Sequence, residues 1–266
     1  MLEIEGLTKF FGGLAALAGV DMSVKPGEIL GLIGPNGAGK TTFFNLVSGV
    51  LRPTRGRVIF EGNDITSKKT HHIAKKGIVR TFQATNICPD FTVLQNIMFS
   101  CHLKPKIGLL ETVFHTPSSR RKEKDVLHRS QAILELVGLD TMADVIARNL
   151  AHGHKRILGI AIALAAEPKL LLLDEPLSGM NAKEVSETME LIHRLWQSGI
   201  TILLIEHNMR AAMNLCQRIV VLNFGKKIAE GSPEEIKGNK EVIQAYLGAG
   251  EHAAEIERCN GTLRNR

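Results

Sequence analysis

Short uninterrupted apolar runs recur along this 266-residue chain, and each meets a polar or charged residue at one end. Ile29-Leu30-Gly31-Leu32-Ile33 leads into Gly34, and Leu170-Leu171-Leu172-Leu173 into Asp174-Glu175. Ile200-Thr201-Ile202-Leu203-Leu204-Ile205 leads into Glu206-His207, while Arg218 precedes Ile219-Val220-Val221-Leu222. Continuous runs of this length fit strands of a parallel sheet covered on both faces by helices. In such sheets ligand groups collect at the carboxyl ends of the strands. Residues 1 to about 28 and Arg57-Val58-Ile59-Phe60-Glu61 instead alternate or carry short β-rich runs, predicting a flanking antiparallel sheet. Val24-Lys25-Pro26-Gly27-Glu28 is the turn that delivers the chain into the central strand. The most apolar stretch, Ile157 to Leu173, is broken by Glu167-Pro168-Lys169. It reads as a buried helix, a turn and a buried strand rather than a membrane span. Residues 84–156 are helix-prone and charged around Ser118-Ser119-Arg120-Arg121-Lys122-Glu123-Lys124, with no clear strand. They are expected to form a helical subdomain inserted between core segments 1–83 and 157–248, followed by a polar, frayed tail at 249–266.

The chemistry sits where these runs end. Gly34-Pro35-Asn36-Gly37-Ala38-Gly39-Lys40-Thr41, with Thr42 after it, is G-x-x-x-x-G-K-T between a predicted strand and a predicted helix. Glycines let backbone amides approach an anion closely, and the helix start adds partial positive charge. Lys40 would reach the β- and γ-phosphates, and the Thr41 hydroxyl would hold Mg²⁺. The expected fold class is therefore α/β, a P-loop NTPase core with an N-terminal antiparallel β subdomain and an inserted α-helical subdomain. Asp174 would orient the Mg²⁺ through its water shell, and Glu175 would polarise the attacking water as general base. A histidine in the place of His207 can stabilise charge developing at the γ-phosphate. Alone, a carboxylate pair or a histidine at a strand end is an ordinary solvated feature; behind a phosphate loop it is a site.

Composition narrows the partners. The net charge of +6 attracts anions, but one Tyr, one Trp and no interleaved basic-aromatic repeat weaken a nucleic-acid reading. Cys88, Cys101, Cys216 and Cys259 are scattered without a C-x-x-C pair, giving no disulfide or metal framework and fitting reduced thiols. The start, Met1-Leu2-Glu3-Ile4-Glu5, carries no signal-peptide pattern, and the protein is expected to be soluble.

In order along the chain, the phosphate loop, Gln83, Gly153, Asp174-Glu175, Ser178-Gly179-Met180-Asn181 and His207 resemble an ATP-binding-cassette ATPase subunit over residues 1–248. The resemblance implies ATP and Mg²⁺ as ligands and Phe11 as the aromatic under the adenine, with Phe10 a close rival. It implies that Gln83 acts at the catalytic metal and links the nucleotide to a membrane subunit. The signature normally reads Leu-Ser-Gly-Gly-Gln and binds the ATP of a partner subunit; here it is Leu150-Ala151-His152-Gly153-His154. Ala151 replaces the serine, leaving Gly153 and the start of a helix expected over Lys155 to Ala166. Asn181 stands where aspartate is usual, keeping an acceptor oxygen and losing the charge.

Phe11-Gly12-Gly13-Leu14, Gly77-Ile78-Val79-Arg80-Thr81-Phe82-Gln83, Thr116-Pro117-Ser118, Gly179-Met180-Asn181-Ala182-Lys183-Glu184 and Ala245-Tyr246-Leu247-Gly248 look like the branched-chain amino acid importer branch. That implies a second ATPase subunit, identical or paralogous, two membrane-spanning permease subunits and, indirectly, a solute-binding protein. It places the chain peripherally at the cytoplasmic face of the inner membrane, with no nucleic acid involved. The rival readings are another cassette system such as a lipopolysaccharide exporter, a non-transport cassette module, or a poor ATPase serving as a nucleotide-gated partner. His71-His72 read as solvated surface, since neighbours on a helix point about 100° apart. His152 and His154 read as signature replacements rather than a metal pair, and Arg120-Arg121-Lys122 as an exposed helix face.

Overall fold

The computed structural model describes residues 1–81, 87–102 and 117–248. Gln83, residue 116 and the tail 249–266 with Cys259 lie outside the described residues, as do the side chains of Arg120, Arg121 and Lys122. The chain divides into two compact units. The first comprises Met1–Arg80, Lys169–Glu175 and the chain from Ile192; the second comprises Thr81–Pro168 and Pro176–Leu191.

Among the described residues the first unit holds two sheets. β1 (Leu2–Phe11), β2 (Leu14–Val24), β4 (Arg55–Phe60) and β5 (Asn63–Asp64) form an antiparallel sheet in the order β2-β1-β4-β5. β3 (Ile29–Ile33), β6 (Ile78–Arg80), β7 (Leu170–Asp174), β8 (Thr201–Ile205), β9 (Arg218–Asn223) and β10 (Lys226–Gly231) form the other, ordered β10-β9-β3-β8-β7-β6. Every neighbour pair in it is parallel except β9–β10. All five residues of β3, of β7 and of β8 are buried, as strands covered on both faces must be.

Two strands of the second sheet were not legible in the sequence. Lys226–Gly231 is polar and pairs antiparallel to β9 across a two-residue turn, so the parallel sheet carries an antiparallel edge. Ile78–Arg80 is too short to show a period, and parallel pairing with β7 makes it a strand. Between the sheets lies the helix Lys40–Val47, whose Phe43 and Phe44 are fully buried in one cluster with Leu2, Leu17, Leu32 and Leu222. Gly31 leaves room on β3 for Cys216, whose Sγ would stand 2.8 Å from a Cβ there. Burial pushes the Cys216 thiol up to about 12, making it a packing residue and not a nucleophile.

In the second unit the helices Val93–His102, Pro117–Val137 and His152–Leu164 pack on one another. Val93, Ile97, Leu134 and Leu158 fill its interior. The buried Asn96 side chain ties down the incoming loop, accepting from the Cys88 N–H at 2.8 Å and donating to the Thr92 carbonyl at 2.9 Å. A single bridge pairs Thr92 with Ile146 among these otherwise helical described residues.

Candidate functional site

Because β3, β8 and β7 are adjacent and parallel, the segments after them emerge side by side: the phosphate loop after β3, Glu175 after β7, His207 after β8. The loop can follow its path only with glycine at particular points. Gly34 has φ 151°, and a Cβ there would stand 2.1 Å from the Leu222 carbonyl oxygen. Gly39 has φ 103°, and its Cβ would stand 2.5 Å from the Ala16 carbonyl oxygen. Gly34→Ala must displace backbone, so we expect a loss of stability of about 1–3 kcal/mol, seen as a lower melting temperature, together with weaker nucleotide binding by titration.

The helix Lys40–Val47 starts from Gly39 with no side-chain cap and no acidic residue in its first turn. No carboxylate of its own first turn meets the dipole there, which suits an external anion. Lys40, only 5% exposed, donates from Nζ to the Gly34 carbonyl at 2.7 Å and the Pro35 carbonyl at 3.0 Å. Its cation is pinned inside the loop it belongs to.

A cavity of about 350 Å³ opens over the loop, lined by Leu14 to Ala16, residues 36–42, Glu175, His207 and Phe224. Asn36, Gly37, Ala38, Gly39, Lys40, Thr41 and Thr42 therefore border one space with Glu175 and His207. Glu175 adopts a left-handed backbone, φ 49°, fixed by its N–H donating to the Ile205 carbonyl at 3.0 Å. Such a conformation is unfavourable for a long side chain and concentrates at functional sites. It brings Glu175 Oε1 to 2.5 Å from His207 Nε2, making a carboxylate–imidazole pair of two residues read separately in the sequence.

Other expected residues lie elsewhere. Gly34 and Pro35 are outside the lining of that cavity, and Phe11 is half-exposed with its ring 5.2 Å from the Lys9 ammonium. Asp174 is buried against Arg80, whose guanidinium donates to its Oδ2 at 2.6 Å and to Asn45 Oδ1 at 2.6 Å. Sequence reasoning gave Arg80 no chemical role; its signal is a cation ending a short apolar run. Tyr246 is 3% exposed on the helix Lys240–Gly248, and burial drives its phenol above the usual range. A backbone hydrogen bond from Gly34 opposes that shift, so the first glycine of the loop donates to the phenol oxygen.

Ala151 and Gly153 belong to the second unit. The helix there begins at His152 and not at Lys155, with Ala151 as an N-cap that makes no side-chain hydrogen bond. Gly153 is in its first turn, where the amides need no intrahelical partner. A Cβ at Gly153 would meet Glu184 Oε1 at 2.6 Å. Asn181 Oδ1 accepts the N–H groups of Lys183 and Glu184, each at 3.0 Å, and Glu184 Oε2 accepts the Asn181 N–H at 2.9 Å. Asn181 thus caps the helix Ala182–Gln197 in a reciprocal box that needs its oxygen and not a charge. The exposed His71 and His72 rings lie 4.1 Å apart at a tilt of 44°, and no cluster of three or more His, Cys, Asp or Glu could hold a metal among the described residues.

The family described as ABC transporter matches residues 17–178, from within β2 through the phosphate loop to just past Asp174-Glu175. The chain belongs to the ABC transporter family. A second family, described as branched-chain amino acid ATP-binding cassette transporter, matches residues 226–252. The chain is 41% identical to the high-affinity branched-chain amino acid transport ATP-binding protein BraF of Pseudomonas aeruginosa, over 93% of this chain and 98% of that protein. It is 43% identical to the high-affinity branched-chain amino acid transport ATP-binding protein LivG of Escherichia coli K12, with the same coverage. The lipopolysaccharide export system ATP-binding protein LptB of Haemophilus influenzae is 34% identical over 93% of this chain and 97% of that protein.

The crystal structure of a nucleotide-free ATP-binding cassette from an ABC transporter superposes with a TM-score of 0.81 at 34% identity, covering 92% of this chain and 98% of that one. The ADP conformation of another ABC transporter cassette gives 0.82 at 32% identity, covering 93% and 98%. The cassette is thus a nucleotide-binding ATPase subunit of a membrane transporter and works with membrane permease components. Among its described residues no helix is long and apolar enough to cross a membrane.

Proposed function

We propose that this cassette hydrolyses ATP to energise an importer of branched-chain amino acids or a related solute. The observation that carries the catalytic part is the Glu175–His207 pair at the mouth of the phosphate-loop cavity. Similarity of 41–43% to transport proteins named for these solutes, together with the matching C-terminal segment, supports the substrate class. The exporter reading is less favoured, since the exporter relative is 34% identical.

In the reaction a water oxygen attacks the γ-phosphorus, the bridging bond to the β-phosphate breaks, and ADP leaves. Glu175 takes the proton of the attacking water. His207 holds the carboxylate in place and meets the charge that develops on the transferred group. Lys40, the loop amides and the helix start bind the phosphates, and Phe11 is assigned to the adenine by family resemblance. Mg²⁺ fits the donor set because such ions take hydroxyl and carboxylate oxygens alongside phosphate oxygens and water; the Thr41 hydroxyl and the Asp174 carboxylate would hold it, and family resemblance adds Gln83. When bound, the ion supplies charge neutralisation of the phosphates.

We assign Ala151 and Gly153 to the ATP held by a second ATPase subunit, identical or paralogous, and two permease subunits and a solute-binding protein to the complete system. Residues 1–248 then form one cassette at the cytoplasmic face of the inner membrane. Purification from native membranes tests this: permease subunits should come with the cassette, and ATPase activity of the reconstituted complex should respond to liganded binding protein. Recovery with exporter subunits instead would overturn the importer reading.

Ala151→Ser gives a direct readout of the altered signature. A serine at this N-cap can accept a first-turn N–H, so we expect about 1 kcal/mol more stability by thermal melting. If the missing hydroxyl limits the composite site, ATP turnover rises as well. Unchanged turnover would show that the helix amides at Gly153 suffice.

A further inference from the structure

Phe224 occupies a position that neither turn chemistry nor burial explains. Asn223 pairs with Lys226, so Phe224-Gly225 is a two-residue hairpin turn, with φ 43° and 75°. Two positive φ values in succession mark the turn type that favours Asn-Gly. A phenylalanine at the first position sets its Cβ against the backbone, and this one is 85% exposed and recovers nothing by burial. The turn is also clamped. The Gly225 N–H donates to the Ala38 carbonyl of the phosphate loop at 3.0 Å, and its carbonyl accepts the Ala18 N–H of β2 at 2.9 Å. A Cβ at Gly225 would stand 2.8 Å from the Ala16 carbonyl oxygen, so the seating is close. The ring is thereby presented at the cavity that Lys40, Thr41, Glu175 and His207 line, together with Leu14, itself 70% exposed. Phe11, by contrast, is outside that lining.

We propose that Phe224 is a second base-binding residue besides Phe11, forming with Leu14 an apolar wall of the cavity against which the aromatic base of the nucleotide rests. The inference rests on reading the cavity as the ATP site. A strained, exposed aromatic is retained there because the base covers it. Stacking on an aromatic face is indifferent to which base is offered, so the residue raises affinity for nucleotides over bare polyphosphate rather than choosing adenine.

The test uses the full chain and Phe224→Asn, which installs the residue this turn favours. The variant should melt about 2–4 °C higher without nucleotide. By calorimetry it should bind ATP about tenfold more weakly, the loss expected for one base–aromatic stack. Affinity for inorganic tripolyphosphate, which has no base, should be unchanged, and Phe224→Trp should keep ATP affinity. Unchanged ATP affinity in Phe224→Asn would overturn the proposal. Equal losses for ATP and tripolyphosphate would overturn it too, since they would mean a disturbed phosphate loop, as would a lower melting temperature. If the wild-type protein binds neither probe, the cavity reading itself fails and the role of Phe224 falls with it.

Discussion

Glu175→Gln is expected to bind ATP as tightly as the wild type and to release phosphate at least about a hundredfold more slowly, the contribution of a positioned general base. The substitution keeps the side-chain length and an oxygen that can face His207, and it removes the negative charge and with it the ability to take a proton. The geometry makes this a clean experiment. Glu175 is fixed at φ 49° through its N–H to the Ile205 carbonyl, so the amide occupies the place of the carboxylate without a change of backbone. With 2.5 Å between Glu175 Oε1 and His207 Nε2, the glutamine can still pair with the ring, which separates loss of basicity from loss of packing. Calorimetry with ATP and a steady-state phosphate assay give the two numbers. A turnover equal to the wild type's would remove Glu175 from the role of base, and its strained backbone would then need another explanation.

Lys40→Ala is expected to act on the other term, weakening ATP binding about 10–100-fold through the loss of a charge-assisted hydrogen bond to the phosphates. Lys40 is buried, and its ammonium lies on the carbonyls of Gly34 and Pro35, within the loop that surrounds the cavity. Its cation is therefore already in place, and little side-chain entropy is lost when phosphate arrives. Affinity by calorimetry is the readout. An undiminished value would show that the loop amides and the helix start hold the phosphates alone. Paired with Glu175→Gln, the two variants divide binding from chemistry: one should bind more weakly, the other should bind normally and react slowly.

Much of this was legible because it is local. A glycine-rich turn between an apolar strand and a helix has one physical use at that spacing, so residues 34–42 were readable without neighbours. The buried strands β3, β7 and β8 showed themselves as unbroken apolar runs, since both faces of a parallel sheet are covered. Lys226–Gly231 did not, because an edge strand with exposed side chains carries no such run and depends on its hairpin turn. The helix begins at His152, three residues before the sequence pattern suggests, because Gly153 reads as a breaker while a first helical turn tolerates it.

Arg80 and Phe224 mark the other boundary. Nothing near Arg80 in sequence announces Asp174, which is 94 residues away, and only the pairing of β6 with β7 brings the two ends together. Phe224 reads as one more apolar residue until its backbone is seen to be left-handed and its ring exposed beside the phosphate loop. The sequence by itself determined the phosphate loop, whose glycines, lysine and threonine are neighbours, and the candidates Asp174, Glu175 and His207 followed from their order behind it. The tertiary structure decided which of them meet: Glu175 with His207, Asp174 with Arg80, Tyr246 with Gly34. Those meetings are set by strand order and by close approaches that only glycine permits, and contacts between distant segments leave no mark on local composition.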